Sequence, residues 1–431
     1  MPTRHDRTLE RQLATITAGV VREAVGIAGS PDPLAAELVA SAVVSMWHAE
    51  HPANTEALGA LAVGVLGQLA DRPEPDVLAL LLAMSVMAPT PLDELARVSI
   101  AHLRAQSVPE PLWVRSVGKP RLVDAWISTD ELDDQSNVLA AFAYGSRPPH
   151  AFNLIIDVNF QGLIRDAFAA DEADRVRDKW VRVSGLPVRA LTRQALADIL
   201  GQAIEMYDIY LEPPVSDGAR HLMPLLRSRL HLLPKPRRIE TPEVGEDERA
   251  ALVAEFAASP EAAGLGRLDD RPAAEIAGWL VDFACDYGAG DPLRWSPIAV
   301  EIMLVDWLPR KVNLDTEEVD VMPDVLRRWV RFSARRKGLS DTVIAETLEA
   351  IDTFAPEFGA GMADTDRAGP AKQLYMELVA DGIDISDEEA VQRWIDARNA
   401  RLSGRSLPSI CSRRSSARRS RPSKRGGRRR R

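Results

Sequence analysis

Apolar residues recur three and four positions apart through most of the chain, and this spacing predicts amphipathic helices. Residues 33–47 and 92–106 follow it, and residues 75–88 are apolar nearly all round, which predicts a buried helix. Ser296-Pro297 places a capping residue before a proline, a pattern typical of a helix start. The later part of the chain predicts helices over 246–258, 272–286, 297–308, 321–337, 341–354, 370–381 and 387–400.

Between residues 112 and 160 the pattern changes to runs of aromatic and β-branched residues, which predict strands. The runs are WVRSV (113–117), AWIST (125–129), NVLAAFAY (137–144) and AFNLIIDV (151–158). The turn-rich segment 145–150 joins the last two, so residues 137–159 predict an antiparallel hairpin. KWVRVSG (179–185) predicts a further strand. The predicted fold class is α+β and predominantly helical, with a small central antiparallel sheet between helical regions.

Composition shifts divide the chain into predicted regions. A helical region (1–110) is followed by an α+β unit (111–234), and the Pro-rich and charged segment 235–246 reads as a linker. A helical domain is predicted over 247–400. The last segment, 401–431, is rich in arginine and serine and predicts disorder.

Body and tail carry opposite charge. The formal net charge is −10, but residues 401–431 hold 12 Arg and one Lys with no acidic residue, which leaves −23 on residues 1–400. The body therefore repels polyanions such as nucleic acid, and the tail attracts them. Two interpretations of the tail stay open. One is the product of a shifted reading frame in GC-rich coding DNA, and the other is a nucleic-acid-binding arm.

Cysteine usage and the first residues predict a cytoplasmic protein. The two cysteines, Cys285 and Cys411, allow no disulfide framework and no thiolate zinc cluster. Cys285 lies in the apolar run WLVDFACDY and is predicted to be a core thiol. The first residues contain no apolar leader, and no window is long and apolar enough to predict a membrane span.

Three stretches resemble a family of uncharacterised actinobacterial proteins. They are DVNFQGLIRDAF (157–168), WSPIAVEIMLVDWLPRK (295–311) and AVQRWIDARNA (390–400). The resemblance implies an architecture and no activity. The family pattern has His where this chain has Val158 and Gly where it has Gln161, and the missing histidine weakens any argument for histidine metal ligation.

The most site-like residues are Asp157, Asn159 and Asp166. Asp157 and Asn159 alternate with apolar residues at the end of a predicted strand, so we expect them to share one face. Their oxygens suit a divalent cation or a polar ligand, which would make the chain a metal-dependent hydrolase. The alternative is that they satisfy turn backbone groups, with Asp166 paired to a base such as Arg165.

The acidic loop 130–134 supplies two further ligand candidates, Asp133 and Asp134. It lacks the central glycine and the terminal glutamate of an EF-hand, so it is predicted to be a solvated hairpin loop. If it folded against Asp157, several carboxylates would converge on one hard cation. A divalent cation is the one cofactor that the sequence suggests.

A basic helix, LRRWVRFSARRKG (326–338), is a candidate for binding phosphate or an acidic partner segment. The alternative is internal pairing with the acidic helices of the body. Its candidate residues are Arg327, Arg328, Arg331, Arg335 and Arg336.

The sequence contains no nucleotide-binding glycine motif, nucleophile elbow or CxxC pair. The favoured function is therefore a binding or interaction protein without evident catalytic machinery, whose partner is a protein or a small molecule. The metal-dependent hydrolase and nucleic-acid binding through the tail are the alternatives.

Overall fold

Helices dominate the structure, a computed structural model that describes residues 4–47, 55–184, 186–240, 243–268 and 271–402. The predicted fold class is confirmed, because these residues form a mainly helical α+β fold around a five-stranded antiparallel sheet. Within the described residues, no helix has the length and apolar character needed to cross a membrane.

The first helices build one apolar core. Every residue from Val77 to Met84 is buried, which confirms the prediction of a buried helix within residues 75–88. These helices are α1 (Arg4–Glu23), α2 (Leu34–Ser45), α3 (Thr55–Ala70), α4 (Pro75–Met84) and α5 (Leu92–Ala105). α4 packs against α2 and α5, and α3 packs against α1 and α5.

The central sheet has the strand order β4-β3-β2-β1-β5, with every neighbouring pair antiparallel. The predicted hairpin is confirmed by β2 and β3, which pair from Gln135 opposite Asp157 to Phe142 opposite His150. The strands are β1 (Arg121–Thr129), β2 (Gln135–Ala143), β3 (His150–Asp157), β4 (Leu163–Ala170) and β5 (Val188–Ala190). A small separate ladder is formed by β6 (Arg267–Leu268) and β7 (Arg271–Pro272).

Two predicted strands are wrong. WVRSV forms turns, and its buried residues Trp113 and Val117 lie four positions apart instead of alternating. KWVRVSG falls in α6 (Ala173–Ser184) up to Ser184, where Arg177 pairs with Asp174 one turn earlier. In both cases the run of β-branched and aromatic residues was too short to distinguish the alternation of a strand from the spacing of a helix.

Helices cover both faces of the sheet. One face packs against α7 (Arg193–Ile209) and α8 (Asp217–Leu230) through residues such as Phe152 and Leu154. On the other face, Leu139 and Ala151 pack under α6.

A buried ion pair fixes α8 to α2. Arg229 of α8 pairs with Glu37 of α2, and both side chains are at most 1% exposed. Tyr144 donates a hydrogen bond to Glu37 and accepts one from Arg229 (2.7 Å), while the backbone N–H of Gly118 donates to Glu37 (2.8 Å). Each charge in this pair therefore has partners, which is what a buried charge requires.

The later helices include two π-helical turns. α10 (Gly278–Asp282) continues into a π-helix over Phe283–Tyr287, and α11 (Pro297–Glu301) into one over Ile302–Trp307. Cys285 lies in the first and is half-buried rather than in the core as predicted. The other helices are α9 (Glu246–Ala257), α12 (Leu308–Lys311), α13 (Thr316–Lys337), α14 (Asp341–Ala363), α15 (Pro370–Ala380) and α16 (Glu388–Leu402).

The described residues divide into two compact units. The larger lies within Met1–Pro309 and Leu314–Ala363, and the smaller within Arg310–Asn313 and Asp364–Arg431. The sheet, the acidic loop and the helices α9 to α11 all belong to the larger unit, which also contains every residue discussed below as part of a site.

Candidate functional site

A tight turn ends β3 and begins the candidate site. The strand stops at Asp157, and a 3-10 turn over Val158–Phe160 follows. The carboxylate of Asp157 accepts a hydrogen bond from the backbone N–H of Asn159 (2.9 Å), and Gly162 closes the turn by donating to the carbonyl of Asp157 (3.0 Å). Asn159 therefore lies beyond the strand, so the alternation that led us to expect a shared face does not extend to it.

The acidic loop does fold against this turn. The N–H of Val158 donates to the carbonyl of Asp134 (3.0 Å), and the side-chain amide of Asn159 donates to the carboxylate of Asp134. Asp134 is 7% exposed, whereas Asp133 beside it is exposed. Only part of the loop is therefore solvated, and the buried carboxylate at its end reaches the β3 turn.

Arg294 meets this buried carboxylate. Its guanidinium donates to the Asp134 carboxylate (2.8 Å), to the side-chain oxygen of Asn159 (2.9 Å) and to the carbonyl of Asp133 (3.0 Å). Ser296 donates to the same Asp134 oxygen (2.6 Å) while it caps α11 by accepting from Ala299. We call Asp134, Asn159, Arg294 and Ser296 the Arg294 joint.

The Arg294 joint connects two of the three stretches that carry the family resemblance. Asn159 belongs to the first motif and Ser296 to the second, and both donate to one oxygen of Asp134. This arrangement differs from a cation site, because a guanidinium already neutralises the carboxylate and donors occupy its oxygen. Among the described residues, no three His, Cys, Asp or Glu side chains are grouped closely enough to hold a metal ion.

Asp166 lies apart from the joint, on β4 opposite Ile155. Its carboxylate accepts hydrogen bonds from the Ser216 hydroxyl and from its own neighbour's N–H at Ala167 (2.9 Å). Ser216 is the N-cap of α8, so Asp166 places a negative charge at the positive end of that helix. The structure thus brings Asp134, Asp157 and Asn159 together but not Asp166.

Arg165 is placed by an irregularity in β4. Ile155 pairs with Asp166 and Ile156 with Ile164, so Arg165 is the extra residue of a β-bulge. Bulges redirect side chains and are common beside functional sites. The Arg165 guanidinium lies over the ring of Phe160, 4.4 Å from its centroid.

The described residues offer the Arg165 side chain no hydrogen-bond acceptor. Within the described part of the chain it makes no ion pair, and the predicted pair with Asp166 is not formed. Its Nη1 is buried without a hydrogen-bond partner. A partly buried guanidinium in this state is unusual, because buried donors in folded proteins are almost always satisfied.

Arg165 lines an open cavity of about 770 Å³. The walls come from β2, β3 and β4, from the segment 212–216 that precedes α8, and from the first turns of α8. The polar lining residues are Gln135, Arg165, Asp166, Glu212, Ser216 and Arg220. We call this space the β4 cavity.

Titratable groups at this end of the sheet are shifted by burial. Burial raises the pKa of Asp157, and the nearby Arg165 guanidinium opposes this shift without cancelling it. Burial also raises the pKa of Tyr210, with a further contribution from Tyr287. Shifted groups of this kind are often found near functional sites.

The basic helix α13 is largely paired internally. Arg327 pairs with Asp352, Arg328 with Asp324, Arg335 with Glu261, and Arg336 with Glu255. Arg331 is exposed, and it alone of the five candidates makes no ion pair with any residue the structure describes. Four of the five arginines are therefore paired within the chain, which was the alternative to binding phosphate or an acidic partner segment.

Sequence reasoning missed Arg294 altogether and weighed Arg165 only as a partner for Asp166. Arg294 directly precedes the capping pattern Ser296-Pro297, but nothing local indicates that its acceptors lie near residues 133 and 159. Arg165 lies within the motif LIRDAF, where a bulge has no sequence signal of its own. The tail hypotheses concern residues 401–431. Arg401 and Leu402 end α16, and residues 403–431 lie outside the described residues.

The chain was compared with protein-family models, curated proteins and solved structures, and none of these comparisons finds a match. The resemblance to actinobacterial proteins therefore stays a prediction.

Proposed function

We propose that this chain is a binding protein, without catalytic machinery of its own, that takes a small molecule into the β4 cavity. The observation that supports this proposal is the cavity itself. It holds about 770 Å³ and is lined by polar and charged side chains that converge from four parts of the fold. Small-molecule sites have volumes of about 300–1,000 Å³ and a few convergent polar groups.

The walls of the cavity are suited to a preformed site. Gln135, Ile155 and Arg165 come from three adjacent strands whose register is fixed by the ladder. The opposite wall is tied to β4, because Ser216 donates its N–H to the carbonyl of Arg165 (2.8 Å) and its hydroxyl to Asp166. A site on such elements needs little rearrangement to bind, which lowers the cost of association.

The polar groups near the cavity favour binding over hydrolysis. Asp166 is held by Ser216, and Asp134 and Asn159 are held by Arg294. A hydrolytic metal site would need these oxygens as ligands, and a general base would need a free proton acceptor beside the substrate.

A second cavity, of about 700 Å³, lies between α9 and α10 and is less suited to a polar ligand. Its lining is mostly alanine and valine, and its arginine, Arg249, is paired with Asp282 and Asp286. The contrast favours the β4 cavity, where Arg165 has no such partner among the residues that the structure describes.

A variant that fills the cavity tests the proposal. Ile155 is half-buried, lines the cavity and lies in a strand, where a tryptophan is well tolerated. We expect a thermal-shift screen of a metabolite library to find compounds that raise the Tm of the full chain, and Ile155→Trp to abolish these shifts. Ile155→Val, which keeps the branched side chain and leaves the space open, is the matched control and should retain them.

Two results would overturn the proposal. One is a screen in which no compound raises the Tm of the wild-type chain. The other is a set of compounds whose shifts persist in Ile155→Trp, because they would bind elsewhere. Circular dichroism of both variants checks that the fold is retained.

A further inference from the structure

We infer that the molecule bound in the β4 cavity carries a carboxylate or phosphoryl group, and that Arg165 is the residue that binds it. This inference rests on the proposed function, since it names the ligand class of the same cavity.

The first step is the unsatisfied charge. Arg165 lines the cavity, yet the described residues offer it no ion pair and no hydrogen-bond acceptor. By contrast, Arg294 at the same end of the sheet pairs with Asp134, and Arg229 at the other end of the β2–β3 hairpin pairs with Glu37. A guanidinium that is partly withdrawn from water needs an anion or acceptors to offset its desolvation.

The bulge and Phe160 together place the Arg165 guanidinium. The bulge at Arg165 removes this residue from the regular ladder, and its guanidinium carbon lies over the Phe160 ring, 4.4 Å from the centroid. A cation–π contact of this kind uses no hydrogen-bond acceptor, so the N–H donors of the guanidinium remain for hydrogen bonding. A planar fork of N–H donors matches the two oxygens of a carboxylate or a phosphoryl group.

The carboxylates near Arg165 do not replace an anionic ligand as its partner. Asp157 is the carboxylate whose charge acts on Arg165, but it is 2% exposed and already accepts from Asn159. Burial raises its pKa, so its negative charge is disfavoured. Asp166 is engaged with Ser216, and Glu212 is exposed at the cavity wall. Arg220 adds a second positive side chain to the lining.

The test uses three probes on the full chain at constant ionic strength: succinate, inorganic phosphate, and the uncharged succinamide. Calorimetric titration should show binding of succinate or of inorganic phosphate, and none of succinamide. Succinate alone would assign the site to carboxylates, phosphate alone to phosphoryl groups. Either result supports the inference.

Variants then assign the binding to Arg165. We expect Arg165→Gln to weaken the anion roughly 10- to 100-fold, because a charged hydrogen-bonded pair is lost. Arg165→Lys should fall between, since it keeps the charge but loses the fork. The matched control is Arg331→Gln, which removes an equally unpaired but exposed arginine and should change nothing.

The outcomes separate this inference from the proposed function. Anion binding that is unchanged in Arg165→Gln, or that persists in Ile155→Trp, overturns the inference and would point to the arginines elsewhere in the chain. If neutral library compounds bind and are blocked by Ile155→Trp while both anions fail, the ligand class is wrong and the cavity remains a binding site. If neither anions nor library compounds depend on Ile155, both proposals fail.

Discussion

Two arginines lie near the turn that ends β3, and they differ in whether their guanidinium groups have hydrogen-bond partners. Arg294 is 8% exposed and donates to Asp134, Asn159 and the carbonyl of Asp133. Arg165 lies over Phe160, one residue beyond Asn159, and has no acceptor among the described residues. The hydrogen bonds of Arg294 therefore hold one side of the turn. On the other side, the described residues leave the donors of Arg165 without acceptors.

The difference shows which polar cluster serves the fold and which is available to a ligand. A buried arginine that is paired with a buried carboxylate is typical of a structural joint, as in the Glu37–Arg229 pair. An arginine that lines a cavity without a partner contributes little to the fold and has its hydrogen-bonding capacity left for another molecule. Stability measurements on the two residues should therefore separate them.

The largest effect is expected from Arg294→Ala. It leaves the buried carboxylate of Asp134 without its cation, and breaking a buried pair from one side costs about 3–5 kcal/mol. Urea denaturation should show the loss in the free energy of unfolding. Arg327→Ala, which breaks the more exposed pair with Asp352, is the control and should cost no more than about 1 kcal/mol. Equal effects of the two variants would contradict the role of the joint.

A smaller loss is expected from Ser296→Ala. This serine caps α11 and also donates to Asp134, so its removal should cost about 1–2 kcal/mol in the same assay. Thr192→Ala removes a cap at α7 that donates to no carboxylate of the described residues. We expect Ser296→Ala to be the more destabilising of the two, and the reverse order would show that Asp134 gains nothing from the hydroxyl.

We expect Arg165→Met to raise the free energy of unfolding, by less than about 1 kcal/mol. The substitution removes no hydrogen bond or ion pair that the structure shows, and the methionine keeps an apolar stem over Phe160. The measurement is again urea denaturation. A loss of 3 kcal/mol or more, as expected for Arg294→Ala, would mean that Arg165 is a second structural joint.

The smallest effect is a pH dependence at Asp157. Burial raises its pKa, so the folded protein holds the proton more tightly than the unfolded chain. The free energy of unfolding therefore falls as the pH rises from about 4, the pKa of an unfolded aspartate, through the raised value. Asp157→Asn still offers an oxygen to Asn159 and cannot ionise, so its stability relative to wild type should increase between pH 4 and pH 7. A difference that stays constant or shrinks would contradict the shift.

The sequence was sufficient for what depends on local pattern. The helix over 77–84 and the hairpin around 145–150 follow from apolar periodicity and turn residues, which act over a few neighbours. KWVRVSG was predicted wrongly because its period is ambiguous over so few residues, and contacts of α6 such as Arg177 over the ring of Trp126 come from a distant segment, β1.

The candidate site was predictable only in part. Asp134 and Asn159 were recognised as a potential cluster, and they do meet. Arg294, which sets the electrostatics of that cluster, lies 160 residues from Asp134 along the chain, and its approach depends on tertiary contacts between the start of α11 and the acidic loop. The availability of Arg165 likewise depends on a bulge and on the absence of a neighbour, and neither can be read from residue spacing.

The most direct test of the account is the Tm of wild-type chain and of Arg165→Gln, each measured with and without succinate or inorganic phosphate at constant ionic strength. The account predicts that at least one of the two anions raises the Tm of the wild type. We also expect Arg165→Gln to unfold near the wild-type baseline and to show a smaller rise in Tm at the same anion concentration. A rise of equal size in Arg165→Gln, or a baseline Tm that drops sharply without any anion, would contradict the account.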